Sequence, residues 1–265
     1  GVWRSLYTHT WDPSHSYINN AWNSLNQNAY NTAAIMEAAA VTPQQTAEAK
    51  FIRAFFRYYI VDCWGVLPDR KTSEGVDVNP TVLDRAAGFA AVEKDLTDAL
   101  PNLPTIAAGP VPQPTASKAA ANALLSRLYL NKAVYTAAAP EGPYTFAPAD
   151  MAKVIQYGAA VTANGYALNA NYFDNFKKTG PSTEIILTSR QGSPQNRVYM
   201  TLHYNQNPSG WNGFATLSDF YNKFGPVAYG SPGYDQRKGI PAGVVIPFGT
   251  TDASKYAGIG FGVLT

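Results

Sequence analysis

The chain has 265 residues, 46% of them apolar and 14% charged, which is enough to bury one large core or two small ones and unlike a disordered tail. A net charge of +2 with no long run of like charges lacks the electrostatic footprint of nucleic-acid or anionic-membrane binding. No stretch reaches the ~20 apolar residues that a membrane-spanning helix needs, and the single cysteine, Cys63, excludes an internal disulfide.

Near the start, Trp3-Arg4 and His9-Thr10-Trp11-Asp12 mix flat aromatics with polar side chains. From 19 to 40, Ala21, Trp22, Leu25, Ala29, Ala33 and Met36 recur at the spacing of one helix face. Thr42-Pro43-Gln44-Gln45 has the form of a capping box with proline at the first helical position, so a second helix is predicted from there to Trp64, stopped by Gly65. Its wide apolar face, with Phe51, Ala54, Phe55 and Tyr58, requires burial among other helices. Lys50, Arg53 and Arg57 form its polar stripe, which reads as a solvated edge with snorkelling alkyl stems. Cys63, beside bulky apolar neighbours, reads as a buried, inert thiol.

A third helix is predicted over 83–100, with Val92, Leu96 and Ala99 inward, Asp95 and Asp98 outward, and prolines 101 and 104 ending it. After the proline-rich linker 107–114, a fourth helix starts near 115–117 and carries Ala120, Ala121, Leu124, Leu125, Leu128 and Val134. A fifth follows Pro148, with Met151, Val154, Ile155 and Ala159 on its apolar face, and closes at Asn164-Gly165. The expected fold is mainly α: antiparallel helix pairs stacked like tetratricopeptide repeats, though without a clean period of about 34 residues. Residues 19–164 form this scaffold.

Residues 165–265 are rich in Gly, Pro, Asn and Tyr and read as an irregular, loop-rich region with few short strands. Thr183-Glu184-Ile185-Ile186-Leu187-Thr188 is the one segment with a strand signature. The abundance of aromatics in these loops argues for order, because disordered segments are poor in them.

Signatures of catalysis are missing. There is no His-Glu-x-x-His, no paired Cys-x-x-Cys, and His9, His15 and His203 lack metal-ligand spacing, so no metal and no cofactor is expected. Asp12, Asp62, Asp174, Asp219 and Asp235 could supply the carboxylate pair of a glycosidase, but none sits in a distinctive motif. Aromatic platforms fit the composition better: a Trp or Tyr face covers the C–H face of a sugar while Asn, Asp, Gln or Arg satisfies its hydroxyls. Besides the N-terminal segment, Asn205-Gln206-Asn207-Pro208-Ser209-Gly210-Trp211-Asn212-Gly213 offers that mixture.

The run from Ala49-Lys50-Phe51-Ile52-Arg53-Ala54-Phe55 through Ile60-Val61 to Trp64-Gly65-Val66-Leu67-Pro68 closely resembles a helix motif of the SusD/RagB family. Colinear with it lie Thr10-Trp11, Ala21-Trp22, Ala119 to Leu130, Asn164-Gly165-Tyr166, Glu184-Ile185-Ile186, Trp211-Asn212-Gly213-Phe214, Phe220-Tyr221 and Asp235-Gln236-Arg237. The resemblance runs along 1–265 as a single domain but covers only the N-terminal part of such a protein. The absence of a leading methionine and the apolar ending at 258–264 also fit a segment of something longer.

The resemblance implies a non-enzymatic, lipid-anchored protein on the outer-membrane surface of Bacteroidota-type bacteria, its anchor lying outside this segment. Such a protein captures a nutrient glycan and delivers it to a SusC-like TonB-dependent transporter. It also implies Trp3, Trp211 and Asn212 as ligand-binding residues, with Trp11 and Trp22 structural. Alternatives are a RagB-type lid that captures peptides, a subunit that only grips the transporter, and a glycoside hydrolase.

Overall fold

The computed structural model describes residues 2–75, 77–109, 114–170, 175, 183–189 and 218–238. Clustering of contacts divides the chain into a helical unit, residues 1–108, 112–167 and 186–188, and a second unit made of the remainder.

The helical unit opens with the short helix α1, Val2–Tyr7, followed by α2, Ser16–Met36. Between them Asp12 Oδ1 accepts from the Ser14 amide at 2.7 Å, a local turn that feeds the chain into α2. Helix α3, Pro43–Trp64, begins and ends where its punctuation demands. The Thr42 hydroxyl accepts from the Gln45 amide at 3.2 Å and Gln45 Oε1 accepts from the Thr42 amide at 3.0 Å. At the other end Gly65 takes the left-handed conformation, φ 69°, and its N–H donates to the Val61 carbonyl.

Strands β1, Val66–Asp69, and β2, Thr81–Asp84, pair antiparallel with Val66 opposite Asp84 and Asp69 opposite Thr81. This hairpin connects α3 to α4, Arg85–Ala99, and it takes the two residues expected to start the helix: Leu83 lies in β2 and Asp84 caps α4, accepting from the Ala87 amide at 2.8 Å. Helix α5 spans Lys118–Leu130 and the short α6 Lys132–Tyr135, so the predicted fourth helix breaks at Asn131. Helix α7, Pro148–Thr162, starts with proline, and Gly165, φ 83°, follows its end.

Side-chain contacts fix the directions. The Trp22 ring meets Trp64 edge-on at 5.3 Å, joining the start of α2 to the end of α3. Early α3 meets late α4, with Lys50 Nζ 3.0 Å from Asp98 Oδ2, while late α3 meets early α4 where Val61 abuts Gly88. In α5 and α7, Ser126 Oγ donates to the Val154 carbonyl at 3.0 Å, and Ala119 clusters with Val161. Neighbouring helices therefore run antiparallel, and the mainly α expectation of paired helices with few short strands is met. The core between them holds Phe51, Tyr58, Ile60, Leu67, Val92, Leu96, Leu125, Leu128 and Tyr129, each at most 2% exposed.

Five expectations are corrected. The basic stripe of α3 is not a solvated edge: Arg53 grips Asp95 with Nε at 2.8 Å and Nη2 at 2.5 Å, and Arg57 reaches Asp95 at 3.4 Å and Asp69 at 2.5 Å. Asp95, placed outward by the helix pattern, is 4% exposed, because its helix faces two guanidiniums there. Cys63 is exposed, although the part of its environment that is desolvated, together with the Asp62 carboxylate, raises its thiol pKa and keeps it a poor nucleophile. Ile155, assigned to the apolar face of the fifth helix, is 73% exposed. In addition, 183–188 is not a strand among the described residues: Ile186 and Leu187 pack against the helical core instead of joining a ladder.

In the second unit, α8, Ser218–Asn222, precedes a 3₁₀ turn, Gln236–Lys238. Phe220 and Phe224 meet edge-on at 5.4 Å, and the Arg237 guanidinium lies 5.5 Å from the Phe224 ring centre while it pairs with Asp235 at 2.6 Å. Glu184 Oε2 accepts from the Asn175 side chain at 2.7 Å and from the Asn169 amide at 3.2 Å.

Candidate functional site

Of the three residues expected to bind ligand, Trp211 and Asn212 lie outside the described residues. Trp3 sits on α1, 46% exposed, with its ring stacked on Tyr17 of α2 at 4.6 Å and 24°. One face of the indole is thus held by a second aromatic ring, which orients it. Tyr7, at 72% exposed, and Trp11, at 45%, add aromatic surface to the same N-terminal segment, with the Trp11 ring 5.2 Å from His9. Trp11, expected to be structural, is 45% exposed, whereas Trp22 is half-buried against the core, as its place at the helix entry suggested.

A concave feature that the sequence did not single out lies between α2 and the connection of β1 to β2. It is a cleft of about 610 Å³. One wall is the α2 face carrying Trp22, Asn23, Asn26, Gln27 and Tyr30; the other carries Pro68, Arg70, Glu74 and Pro80, with Arg57 at its base. The signal in the sequence was the amide-rich stretch of the first helix, but its opposing wall comes from a hairpin whose position only the fold supplies.

The titratable groups in the helical core are tied into structural contacts. Tyr135 donates to Asp62 Oδ1 at 2.6 Å, and burial, then the Asp62 carboxylate, pushes its phenol well above the usual tyrosine range. Burial and the Glu93 carboxylate raise Tyr129 in the same way, and Lys153 Nζ donates to its oxygen at 2.6 Å. Asp98, between Lys94 and Lys50, is held below the usual carboxylate range by their hydrogen bonds. Of the carboxylates weighed for glycoside hydrolysis, Asp12 holds a turn, Asp62 accepts from Tyr135, Asp235 pairs with Arg237, Asp219 is exposed on α8, and Asp174 lies outside the described residues. Among the described residues no group of three His, Cys, Asp or Glu side chains is placed to hold a metal ion, and no helix is long and apolar enough to cross a membrane.

Residues 1–130 match the model of a SusD-like family described as starch-binding associating with outer membrane. The starch-binding protein SusD of Bacteroides thetaiotaomicron is 29% identical over 168 residues, 60% of this chain and 27% of that protein. Two solved structures from Bacteroides fragilis share the fold. A SusD-like protein matches with a TM-score of 0.64 and 19% identity, over 82% of this chain and 43% of its own. A SusD-like carbohydrate binding protein matches with a TM-score of 0.64 and 18% identity, over 86% of this chain and 45% of its own. This chain therefore spans about a quarter of the curated relative and less than half of either solved one. Residues 1–130 thus match the SusD-like family model, and the helical fold is shared with solved SusD-like proteins.

Proposed function

We propose that this chain belongs to a non-enzymatic surface protein that captures a nutrient glycan. The observation that carries this reading is the match of residues 1–130 to a family described as starch-binding associating with outer membrane. It is supported by the similarity to the relative from Bacteroides thetaiotaomicron, a starch-binding protein. The Trp3 ring, oriented by Tyr17 and partly exposed, is a flat apolar surface of the kind a pyranose face stacks on.

In this reading Trp3, Trp211 and Asn212 contact the glycan. A lipid anchor outside this segment holds the protein at the outer-membrane surface, and the captured glycan passes to a SusC-like TonB-dependent transporter. Affinity electrophoresis of the full chain against a glycan and peptide panel tests the capture step. Retardation by a glycan, reduced at least several-fold in Trp3→Ala or Trp211→Ala, is the expected result. Retention by peptides alone would replace glycan with peptide capture, and release of reducing sugar from a polysaccharide would overturn the non-enzymatic reading.

A further inference from the structure

We infer that the cleft between α2 and the β1–β2 connection is a second saccharide-binding site, distinct from the Trp3–Tyr17 pair and suited to an uncharged, hydroxyl-rich ring. The ligand class rests on the proposed glycan capture; the place rests on the cleft itself. Helix α2 carries asparagine at 19, 20, 23, 26, 28 and 31, although asparagine is among the poorer helix formers and helix stability gives no reason for so many. Asn23, Asn26, Gln27 and Tyr30 follow the i, i+3, i+4, i+7 spacing of one face, and that face, with Trp22, lines the cleft. The indole and phenol provide apolar surface for C–H faces, and the amides each offer a donor and an acceptor, the combination that hydroxyls require.

Part of the polar wall is already positioned. Asn26 Nδ2 donates to the Trp22 carbonyl at 2.9 Å and Gln27 Nε2 donates to Asn31 Oδ1 at 2.9 Å, which orients both amides, while Asn23 has no hydrogen-bond partner among the described residues. The charges cancel. Arg57 is engaged by Asp69 at 2.5 Å and Asp95 at 3.4 Å, and on the opposite wall Arg70, which donates to the Gly75 carbonyl, stands with Glu74. With Arg57 paired and one charge of each sign from Arg70 and Glu74, the cleft offers a phosphate or a uronate no net positive charge, whereas a neutral sugar meets hydrogen-bonding groups of both kinds. The volume falls within the roughly 300–1,000 Å³ of small-molecule sites.

Hydrogen exchange of the full chain with maltoheptaose, laminarihexaose and an Ala-Ser peptide of matched length provides the test. Protection by a glucan over 22–33 and 68–80 is expected, together with at least about a tenfold loss of affinity in Tyr30→Ala and in Asn23→Ala. Both side chains are exposed, and an unchanged thermal midpoint in each variant shows that folding is not the cause. Glucan binding that leaves those segments unprotected and is lost only in Trp3→Ala would overturn this inference while keeping the capture reading. Binding by neither glucan would remove both. Protection of the cleft by the peptide alone would overturn the saccharide assignment.

Discussion

Asp95 is buried between Arg53 and Arg57, whose side chains are 20% and 10% exposed, so none of the three charges has bulk water to replace a lost partner. Burial lowers the Arg57 pKa, the mark of a cation held out of solvent, and only Asp69 and Asp95 compensate. Asp95→Ala is expected to cost about 3–5 kcal/mol in urea unfolding, because it leaves the buried Arg57 and the half-buried Arg53 short of an anion. Lys50→Ala, which breaks a pair at the rim, should cost much less. Tyr129 and Tyr135 respond to base. Their folded-state pKa values lie above the ordinary 10.0, so the folded chain holds these protons after the unfolded chain has lost them. The stability they confer is complete below pH 10 and is lost as pH rises beyond it. Unfolding midpoints should fall as pH rises above 10, and less steeply in Tyr135→Phe. In the sequence Lys50, Arg53 and Arg57 were legible as a stripe, but not as an ion-pair seam, because Asp95 and Asp98 lie some forty residues away on a helix whose facing direction periodicity does not reveal, and Asp69 lies on a strand the sequence did not show.

At the scale of elements, Gly88 sets the spacing of α3 and α4. A Cβ there would lie 2.7 Å from Val61 Cγ2, and Val61 is a buried, β-branched side chain with little rotamer freedom in a helix. Gly88→Ala gains up to about 1 kcal/mol of helix propensity but forces the helices apart, so a net loss of about 1–2 kcal/mol is expected in denaturant unfolding. Thr42→Ala removes the cap of α3 and should cost about 1 kcal/mol by the same measurement. Helix α3 was legible from end to end because its capping box, first-turn proline and terminal glycine are local signals. Helix α1 was not, since six residues carry too little periodicity. The hairpin escaped for a similar reason: its strands have four residues each, and Pro68 lies inside one of them. The segment 183–188 had the composition of a strand, but composition does not supply a ladder partner; its apolar side chains found the helices instead.

For the whole molecule, the antiparallel helix pairs followed from helix lengths, alanines at close-packing positions and the aromatics between them, and the solved relatives share the fold. The binding surface was less legible. Exposed and buried tryptophans look alike in sequence, so Trp3, Trp11 and Trp22 could be sorted only once α2 and α3 were placed. Ligand binding to the native state alone should raise the unfolding midpoint of the full chain, by about 2.7 kcal/mol of added stability at a hundredfold excess over Kd. A captured glucan is therefore expected to shift the thermal transition upward, and Trp3→Ala should reduce the shift at the same glucan concentration.

The hairpin between α3 and α4 separates two tasks along one stretch of chain. Its ladder is anchored at the helix ends: Leu67 is 1% exposed, Leu83 packs on the core, and Asp84 doubles as the cap of α4. Its tip, which holds Arg70 and Glu74, contributes to the cleft wall and to none of the buried core. Lengthening such a tip is cheap, about 0.6 kcal/mol for each doubling of loop length. Homologous chains can therefore exchange this tip, with new side chains and new reach, over an unchanged scaffold, and differences in what the cleft accepts should concentrate in residues 70–80.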